Sequence, residues 1–229
     1  RLDDANIQLS KELWAIKSSL AIYRVIGLNA KSINSGSGRA FFGFVQNQSL
    51  AAVALGLGKI FEREGTYELS SVSGVYRLAK QVQIQDIAVA RAFVGKYGVS
   101  ASQDWIKDVD RVFSAQRPRI RSHMQIIDRV RNTRLAHIEQ DASVSTLPSI
   151  AAFEKLLAFA VEFHSFVNEA FLSVHSHPIL DDRQIESSLL GLLKKTGVSD
   201  PVSQFLTSNF AMNPTTTSRP PAAASYREP

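Results

Sequence analysis

The sequence predicts an all-α protein, a helical bundle, and three observations support this. Apolar residues recur at spacings of three and four along most of the chain, as they do in helices that bury one face. No alternation of apolar and polar residues is long enough to predict a strand, and no internal repeat is visible. The chain has 229 residues, which is enough to bury a sizeable core. We therefore expect one helical domain over residues 1–210 and a disordered tail over 211–229, where prolines and threonines concentrate.

The composition limits the class of protein. The absence of cysteine excludes disulfides, thiolate nucleophiles and cysteine metal sites. The formal net charge of +5 favours an anionic partner such as nucleic acid, although a solvated basic surface is the alternative. Arg1 opens directly into an amphipathic pattern, so we expect a cytoplasmic protein with no secretory leader and no membrane partner. Because the chain does not begin with Met, we also expect that something was removed ahead of Arg1.

The first predicted helix covers residues 3–34, with Asp3 or Asp4 as its N-cap. Residues 35–38, SGSG, then form a turn ahead of Arg39. This glycine loop lacks the Lys-Ser/Thr pair of a P-loop, and we interpret it as a connector rather than a phosphate site.

The second predicted helix covers residues 39–64 and is the most apolar segment of the chain. Residues 46–48, QNQ, interrupt it, so no apolar run approaches the length of a membrane helix. We interpret it as the central core helix, stopped by Gly65. Gly56 and Gly58 inside it are expected to allow close helix packing.

A third helix is predicted over residues 70–96, ended by Tyr97-Gly98, and a fourth over 102–116. The fourth carries three outward acids, which are Asp104, Asp108 and Asp110. We interpret them as a solvated face, with an ion pair to Arg131 or Arg134 as the alternative. Pro118 then begins a separate helix, since proline is tolerated in a first turn.

The chain after Pro148 predicts two more helices. The first has an apolar stripe at heptad spacing and should lie along the preceding helix or pair across a dimer seam. Its stripe comprises Ile150, Phe153, Leu157, Ala160, His164, Val167, Phe171 and Val174. We interpret His164 as a hydrogen-bonded core residue. The last helix begins near Asp181 and stops at Gly197, and a short apolar piece lies at 202–206.

Metal and cofactor sites are not expected. His175 and His177 form an HxH pair, but no further ligands accompany it, so we interpret both as polar residues at a helix end.

The segment from Arg117 to Asp141 concentrates the positive charge, because seven of the sixteen arginines fall between Arg111 and Arg134. Its apolar stripe consists of Ile120, Met124, Ile127, Leu135 and Ile138. Arg131 falls in the middle of that stripe. A guanidinium cannot lose its charge, so Arg131 must either meet a carboxylate inside the fold or face a cleft that admits an anion.

His137 is the candidate proton carrier of this segment. On an ideal helix it lies about 120° around the axis from Arg131, with Arg134 between them. The two would share a site through arginine reach, a helix break or a neighbouring subunit. Asp141 lies one turn beyond His137 and is placed to accept a ring N–H, which would fix the tautomer. A polar surface or capping role for His137 is the alternative.

The run RNTRLAH, with Arg131, Asn132, Arg134 and His137, resembles the signature of HEPN-domain proteins. The order of upstream segments is similar to the abortive-infection AbiU class of that superfamily. There an FF-containing apolar helix closes on a KIFERE-like stretch, here Phe41-Phe42 through Lys59-Ile60-Phe61-Glu62. The likeness covers roughly residues 9–171.

This resemblance implies a compact HEPN-like helical bundle, commonly a homodimer, that cuts RNA without a metal. Arg131 would hold the scissile phosphate, His137 would be the acid/base residue and Asn132 would orient the site. Many members are toxins of prokaryotic defence, held by an antitoxin or other regulatory partner. In some members a partner modifies a Tyr that lies two residues after the His and so silences the toxin. Glu139 occupies this position here, which argues against that form of silencing in this chain. The clustered arginines are candidate RNA-binding residues, namely Arg117, Arg119, Arg121, Arg129 and Arg134.

Three functions compete at this point. The first is an endoribonuclease that uses the RNA 2′-hydroxyl as its nucleophile. The second is a non-catalytic RNA-binding or protein-interaction module that uses the same basic helix. The third is a dimerisation scaffold in which Arg131 pairs with Asp104 or Asp108.

Overall fold

The chain folds as an array of helices packed around an aromatic core. The computed structural model describes residues 1–62, 70–130, 150–172 and 182–198, and within these ranges it contains helices and no strand. The helices are α1 (Leu2–Leu28), α2 (Ala30–Ser35), α3 (Arg39–Ile60), α4 (Val72–Ala79), α5 (Ile87–Lys96), α6 (Trp105–Val130), α7 (Ile150–Val167) and α8 (Asp182–Lys195). A π-helical turn, Asn168–Leu172, extends α7. The predicted all-α fold class is confirmed.

Helix α7 occupies the centre of the bundle. It packs against α1, α3, α4, α5 and α6, and ten of its eighteen residues are buried. Its phenylalanines form an aromatic cluster with neighbouring helices: Phe166 stacks on Phe93, and Phe163 lies edge-on to Tyr76 and Phe113. Such ring pairs contribute roughly 0.5–1.5 kcal/mol beyond their buried area. The apolar stripe predicted after Pro148 is therefore confirmed as far as Phe171, and it lies in the middle of the core.

Helix α3 is a core helix on one face only, so the prediction that it is central was wrong. It buries Phe42, Leu50, Val53, Leu57 and Ile60, mainly against α1. Its other face exposes Phe41, Phe44 and Leu55.

Helix α3 is also long and apolar enough to cross a membrane, the one such helix in the described part of the chain. Its most apolar 18-residue window has a mean hydropathy of 1.3, and 33% of that window is buried. The helix meets this criterion by average hydropathy, although residues 46–48 interrupt its apolar run as predicted from the sequence. Core helices meet the same criterion.

Close packing of α1 against α3 depends on Gly56. A Cβ built at this position would lie 2.4 Å from Cγ1 of Ile16, a side chain that is 1% exposed. No side chain larger than hydrogen fits there without movement of the Ile16 side chain or of α1, which confirms the packing role predicted for Gly56.

The ends of the first helices differ from the prediction. Helix α1 begins at Leu2 with Arg1 in the capping position and no side-chain cap, so Asp3 and Asp4 lie in the first turn, where their charge suits the helix dipole. Asn29 separates α1 from α2, and its side-chain amide donates to the Val25 carbonyl at 2.8 Å.

Helix α3 ends at Ile60, earlier than expected. The stop predicted at Gly65 lies outside the described residues.

Residues 70–96 form two helices, α4 and α5, where the sequence pattern predicted one. Each has its own N-cap: the Ser71 side chain accepts from the Gly74 N–H, and Asp86 accepts from Ala88 N–H at 2.8 Å. Between them, the N–H groups of Gln85 and Asp86 both donate to the carbonyl of Ala170. These long-range hydrogen bonds replace the ones that a continuous helix would make. The predicted end at Tyr97-Gly98 is confirmed, with Gly98 at φ +71°.

Residues 105–130 form a single helix, where the sequence pattern predicted a break at Pro118. Proline inside a helix removes one backbone hydrogen bond and crowds the preceding turn, so it usually ends or kinks a helix. Here Val109 and Val112 before the proline and Ile127 after it are buried in the same core. Packing on both sides of Pro118 therefore holds α6 together.

Helix α8 agrees with the prediction, since it ends at Lys195 and is followed by Gly197 at φ +89°. Its Leu193 joins Val25, Ile33 and Phe42 in a second apolar cluster. The HxH pair, the 202–206 piece and the predicted tail at 211–229 lie outside the described residues.

Candidate RNA-binding face of helix α6

Helix α6 carries the predicted arginines that the structure describes. Arg117, Arg119 and Arg121 are all exposed along its middle turns. Arg129 lies in the last turn of α6, and its side chain is outside the part that the structure describes. The predicted catalytic residues Arg131, Asn132 and His137, together with Arg134 and Asp141, lie outside the described residues. Whether they share one site thus stays a prediction.

The arginines of α6 face two different clefts. Arg117 and Arg121 are one turn apart and line a cleft of about 840 Å³ between α6, α1 and α3, which we call the α1–α6 cleft. Arg119 points to the other side, where it lines a cleft of about 660 Å³ between α5, α6 and α7, which we call the α5–α7 cleft. Ile120 belongs to both walls. Helix α6 therefore separates the two clefts and presents arginine side chains to both of them.

The α1–α6 cleft has an apolar floor and charged edges. Ile16, Leu55 and Phe113 are among its floor residues. Glu12 forms an ion pair with Lys59, so those two charges neutralise each other. The remaining charged residues on its walls are Glu62, Arg117, Arg121 and Asp128. The mixed signs weaken its attraction for a polyanion, and Arg117 and Arg121 would act at its edge.

The α5–α7 cleft holds a group of polar side chains that contact one another directly. Glu162 receives a hydrogen bond from the Tyr97 hydroxyl at 2.5 Å and an ion pair from Lys96 at 2.7 Å. Burial, followed by the Glu162 contact, raises the pKa of Tyr97 well above its ordinary value, so the phenol stays protonated as a donor. The remaining polar residues of the lining are Gln116, Arg119, His123 and Lys155.

Contacts of Asp104, Asp108 and Asp110 hold the first half of α6 in place. The prediction that these acids form a solvated face was wrong for Asp108. Asp108 is 2% exposed and accepts hydrogen bonds from Ser102 N–H at 2.6 Å and Ser102 Oγ at 2.9 Å. It also pairs with Arg111 at 3.3 Å. Asp110 accepts from the Tyr76 hydroxyl, and Asp104 pairs with Lys107. These contacts anchor α6 ahead of its basic turns.

Tyr76 is held as a hydrogen-bond donor in the same way as Tyr97. Burial and, after it, the hydrogen bond to Asp110 raise the pKa of the Tyr76 phenol well above its usual range. The single hydroxyl hydrogen is shared with the Ile106 carbonyl, which lies 3.1 Å from the Tyr76 oxygen. Tyr76 thus ties α4 to the first turns of α6.

His164 is a core histidine, as predicted. It is 4% exposed, and burial lowers its pKa to about 4, so the ring is neutral at pH 7. The Asn168 amide lies 3.4 Å from His164 Nδ1, and Asn168 Oδ1 accepts from Asn6 at 2.6 Å. This buried network joins α7 to α1 and faces neither cleft.

The sequence patterns did not single out the group around His123. Its members come from α5, α6 and α7, and only the fold brings them together. One signal was available, since Arg119 and His123 are four residues apart and therefore share a helix face. In the ranges that the structure describes, no group of three or more acidic or histidine side chains is arranged to hold a metal ion.

An all-helical bundle with a basic helix that leads into an Arg–His motif is the arrangement of a HEPN domain. A model of the AbiU2 family of HEPN domains matches residues 1–188 of the 229-residue chain. The chain belongs to this family and is a HEPN-type abortive-infection protein. No curated protein and no solved structure matches it.

Proposed function

We propose that the protein is a metal-independent endoribonuclease that acts as a toxin or effector of prokaryotic defence. One observation carries the proposal. In a chain of the AbiU2 family, a single helix with four exposed arginines, which are Arg111, Arg117, Arg119 and Arg121, leads directly into the sequence RNTRLAH. Phosphate contacts from arginine position an RNA chain without reading its sequence, and the motif would then act on the phosphodiester so held.

The residue types match the needs of RNA cleavage. The 2′-hydroxyl loses its proton and attacks phosphorus, and the bond from phosphorus to the 5′-oxygen breaks as that oxygen gains a proton. His137 supplies a side chain that exchanges protons near neutral pH, and Arg131 supplies a fixed, forked cation for the phosphoryl oxygens. Asn132 would orient these groups. The RNA provides its own nucleophile, so the reaction needs no bound metal.

A homodimer would complete this site. One chain offers one motif histidine, whereas the reaction has one proton to remove and one to deliver. A two-fold dimer brings a second copy of His137 and Arg131. A solution mass near twice 25.2 kDa, measured by light scattering, would agree with this arrangement, and a monomer that retains full activity would contradict it. The proposed setting is the cytoplasm, with a regulatory or antitoxin partner.

The test is RNA cleavage by the purified chain in the presence of a metal chelator. Wild type is expected to cut RNA, and Arg131→Ala and His137→Ala are each expected to abolish cutting. Arg91→Ala is the matched control, because Arg91 is an exposed arginine on α5 that lines neither cleft. Full activity in either motif variant would refute the assignment. Expression of wild type beside His137→Ala in cells, with growth and RNA integrity followed, tests the toxin role.

The same experiment separates the alternative of a non-catalytic RNA-binding module. That alternative gives salt-sensitive RNA binding with no cleavage products, and it tolerates His137→Gln. A catalytic role predicts that His137→Gln still binds RNA and no longer cuts it.

A further inference from the structure

The α5–α7 cleft has a combination of shape and charge of which the predicted roles use only Arg119. Its volume of about 660 Å³ lies in the range of small-molecule sites. Ile120, Leu156 and Phe159 form an apolar floor, and the charged residues stand around it. This combination suits a ligand that is partly flat and apolar and partly anionic.

The cations of this cleft are not fully neutralised. The two oxygens of Glu162 are taken by Lys96 and Tyr97. Arg119 and Lys155 are exposed, and neither makes an ion pair within the described ranges. Two positive charges therefore remain for a ligand.

His123 provides an independent indication that a ligand group belongs here. Its Nδ1 atom is shielded from solvent and has no hydrogen-bond partner among the residues that the structure describes. A shielded polar atom without a partner costs about 1–3 kcal/mol, so such atoms are rare in native proteins and call for an explanation. His123 is half-buried at the cleft wall, so a turn of its ring that brings Nδ1 to the cleft would let a ligand oxygen supply the missing hydrogen bond.

We propose that the α5–α7 cleft binds a phosphomonoester, the terminal phosphate of an RNA strand. A phosphomonoester carries nearly two negative charges at neutral pH, whereas an internal phosphodiester carries one. Two free cations, Arg119 and Lys155, match the first better than the second. The neighbouring nucleotide base would lie against Ile120, which is the least buried of the three floor residues. This assignment rests on the proposed function for its RNA source, since a free mononucleotide presents the same chemistry.

The test measures binding rather than cleavage, so it does not depend on catalysis. The full chain carrying His137→Ala is titrated with three oligoribonucleotides of one sequence, bearing a 5′-phosphate, a 3′-phosphate or hydroxyls only. We expect one phosphorylated form to bind roughly tenfold more tightly than the hydroxyl form, as one charge-assisted contact provides. Arg119→Ala and Lys155→Ala should each remove that preference, while Arg91→Ala should retain it.

Competition with a 5′-mononucleotide and with inorganic phosphate separates the sources. Weak competition by both, beside a preference for phosphorylated ends, supports an RNA terminus. Stronger binding of the mononucleotide than of either phosphorylated strand overturns the RNA source and assigns the cleft to a free nucleotide. Equal affinity for all three strands with no mononucleotide binding, or a preference that survives both substitutions, overturns the site. A wild-type chain that cuts no RNA would refute the proposed nuclease and leave these binding results intact.

Discussion

The contact between α1 and α3 gives the sharpest stability prediction, which concerns Gly56→Ala. The added Cβ would lie 2.4 Å from Ile16 Cγ1 and 3.0 Å from Ile16 Cδ1. Relief of that overlap requires a shift of about 1 Å, because carbon atoms pack at about 3.5–4.0 Å. Overpacking of this kind costs about 1–3 kcal/mol, and the better helix propensity of alanine offsets about 1 kcal/mol of it.

Gly43→Ala is the matched control for that substitution. Gly43 lies in the same helix, and a Cβ there would meet nothing within 4 Å, so this variant should gain about 1 kcal/mol of stability. The propensity gain cancels between the two variants, and their difference of about 1–3 kcal/mol isolates the clash. Urea unfolding followed by circular dichroism measures it. Equal stability of the two variants would refute the close α1–α3 contact.

Two predictions concern the buried network around His164. The folded pKa of His164 is about 4 and its unfolded pKa is near 6.5, so the free energy of unfolding falls as the pH drops from 6.5 to 4, by about 1.4 kcal/mol per pH unit at most. Urea midpoints measured across this range should fall less steeply in His164→Gln than in wild type. Parallel slopes in the two proteins would contradict the assignment. Asn168→Ala should lower the free energy of unfolding by about 1–3 kcal/mol, because it leaves the Asn6 amide without its acceptor. The control Asn47→Ala, at an exposed position, should change stability by under about 0.5 kcal/mol. Equal losses of the two variants in thermal unfolding would contradict the role of this hydrogen bond.

Apolar spacing identified most helices because it reports which face of each helix is buried. It failed where long-range contacts decide the outcome. Pro118 lies inside α6 because residues on both sides of it pack in one core, which local rules cannot foresee. The break between α4 and α5 depends on the Ala170 carbonyl, about eighty-five residues away in sequence. Aspartate favours N-cap positions, and Asp86 caps α5, but the apolar pattern continues across it and predicted a single helix.

Some features of the candidate site could likewise be predicted from the sequence, and others depend on the fold. The exposed arginines of α6 follow from their charge, and the neutral core position of His164 follows from its place on an apolar stripe. Burial of Asp108 could not be predicted, because its partner Ser102 lies before the start of α6, where the sequence pattern predicted helix. The grouping of His123 with Lys155 requires α6 and α7 to meet. For the motif at Arg131 to His137, the prediction rests on the sequence and on the family.

The chemical nature of the RNA ends tests the central claim most directly. If the 2′-hydroxyl is the nucleophile and His137 moves its proton, products must carry a 2′,3′-cyclic phosphate or a 3′-phosphate, and a 5′-hydroxyl. Mass spectrometry of a cleaved oligoribonucleotide reads both ends, and replacing the 2′-hydroxyl by hydrogen at the cut position should stop the reaction. Products with a 3′-hydroxyl and a 5′-phosphate, or cutting of the deoxy-substituted strand, would contradict the account.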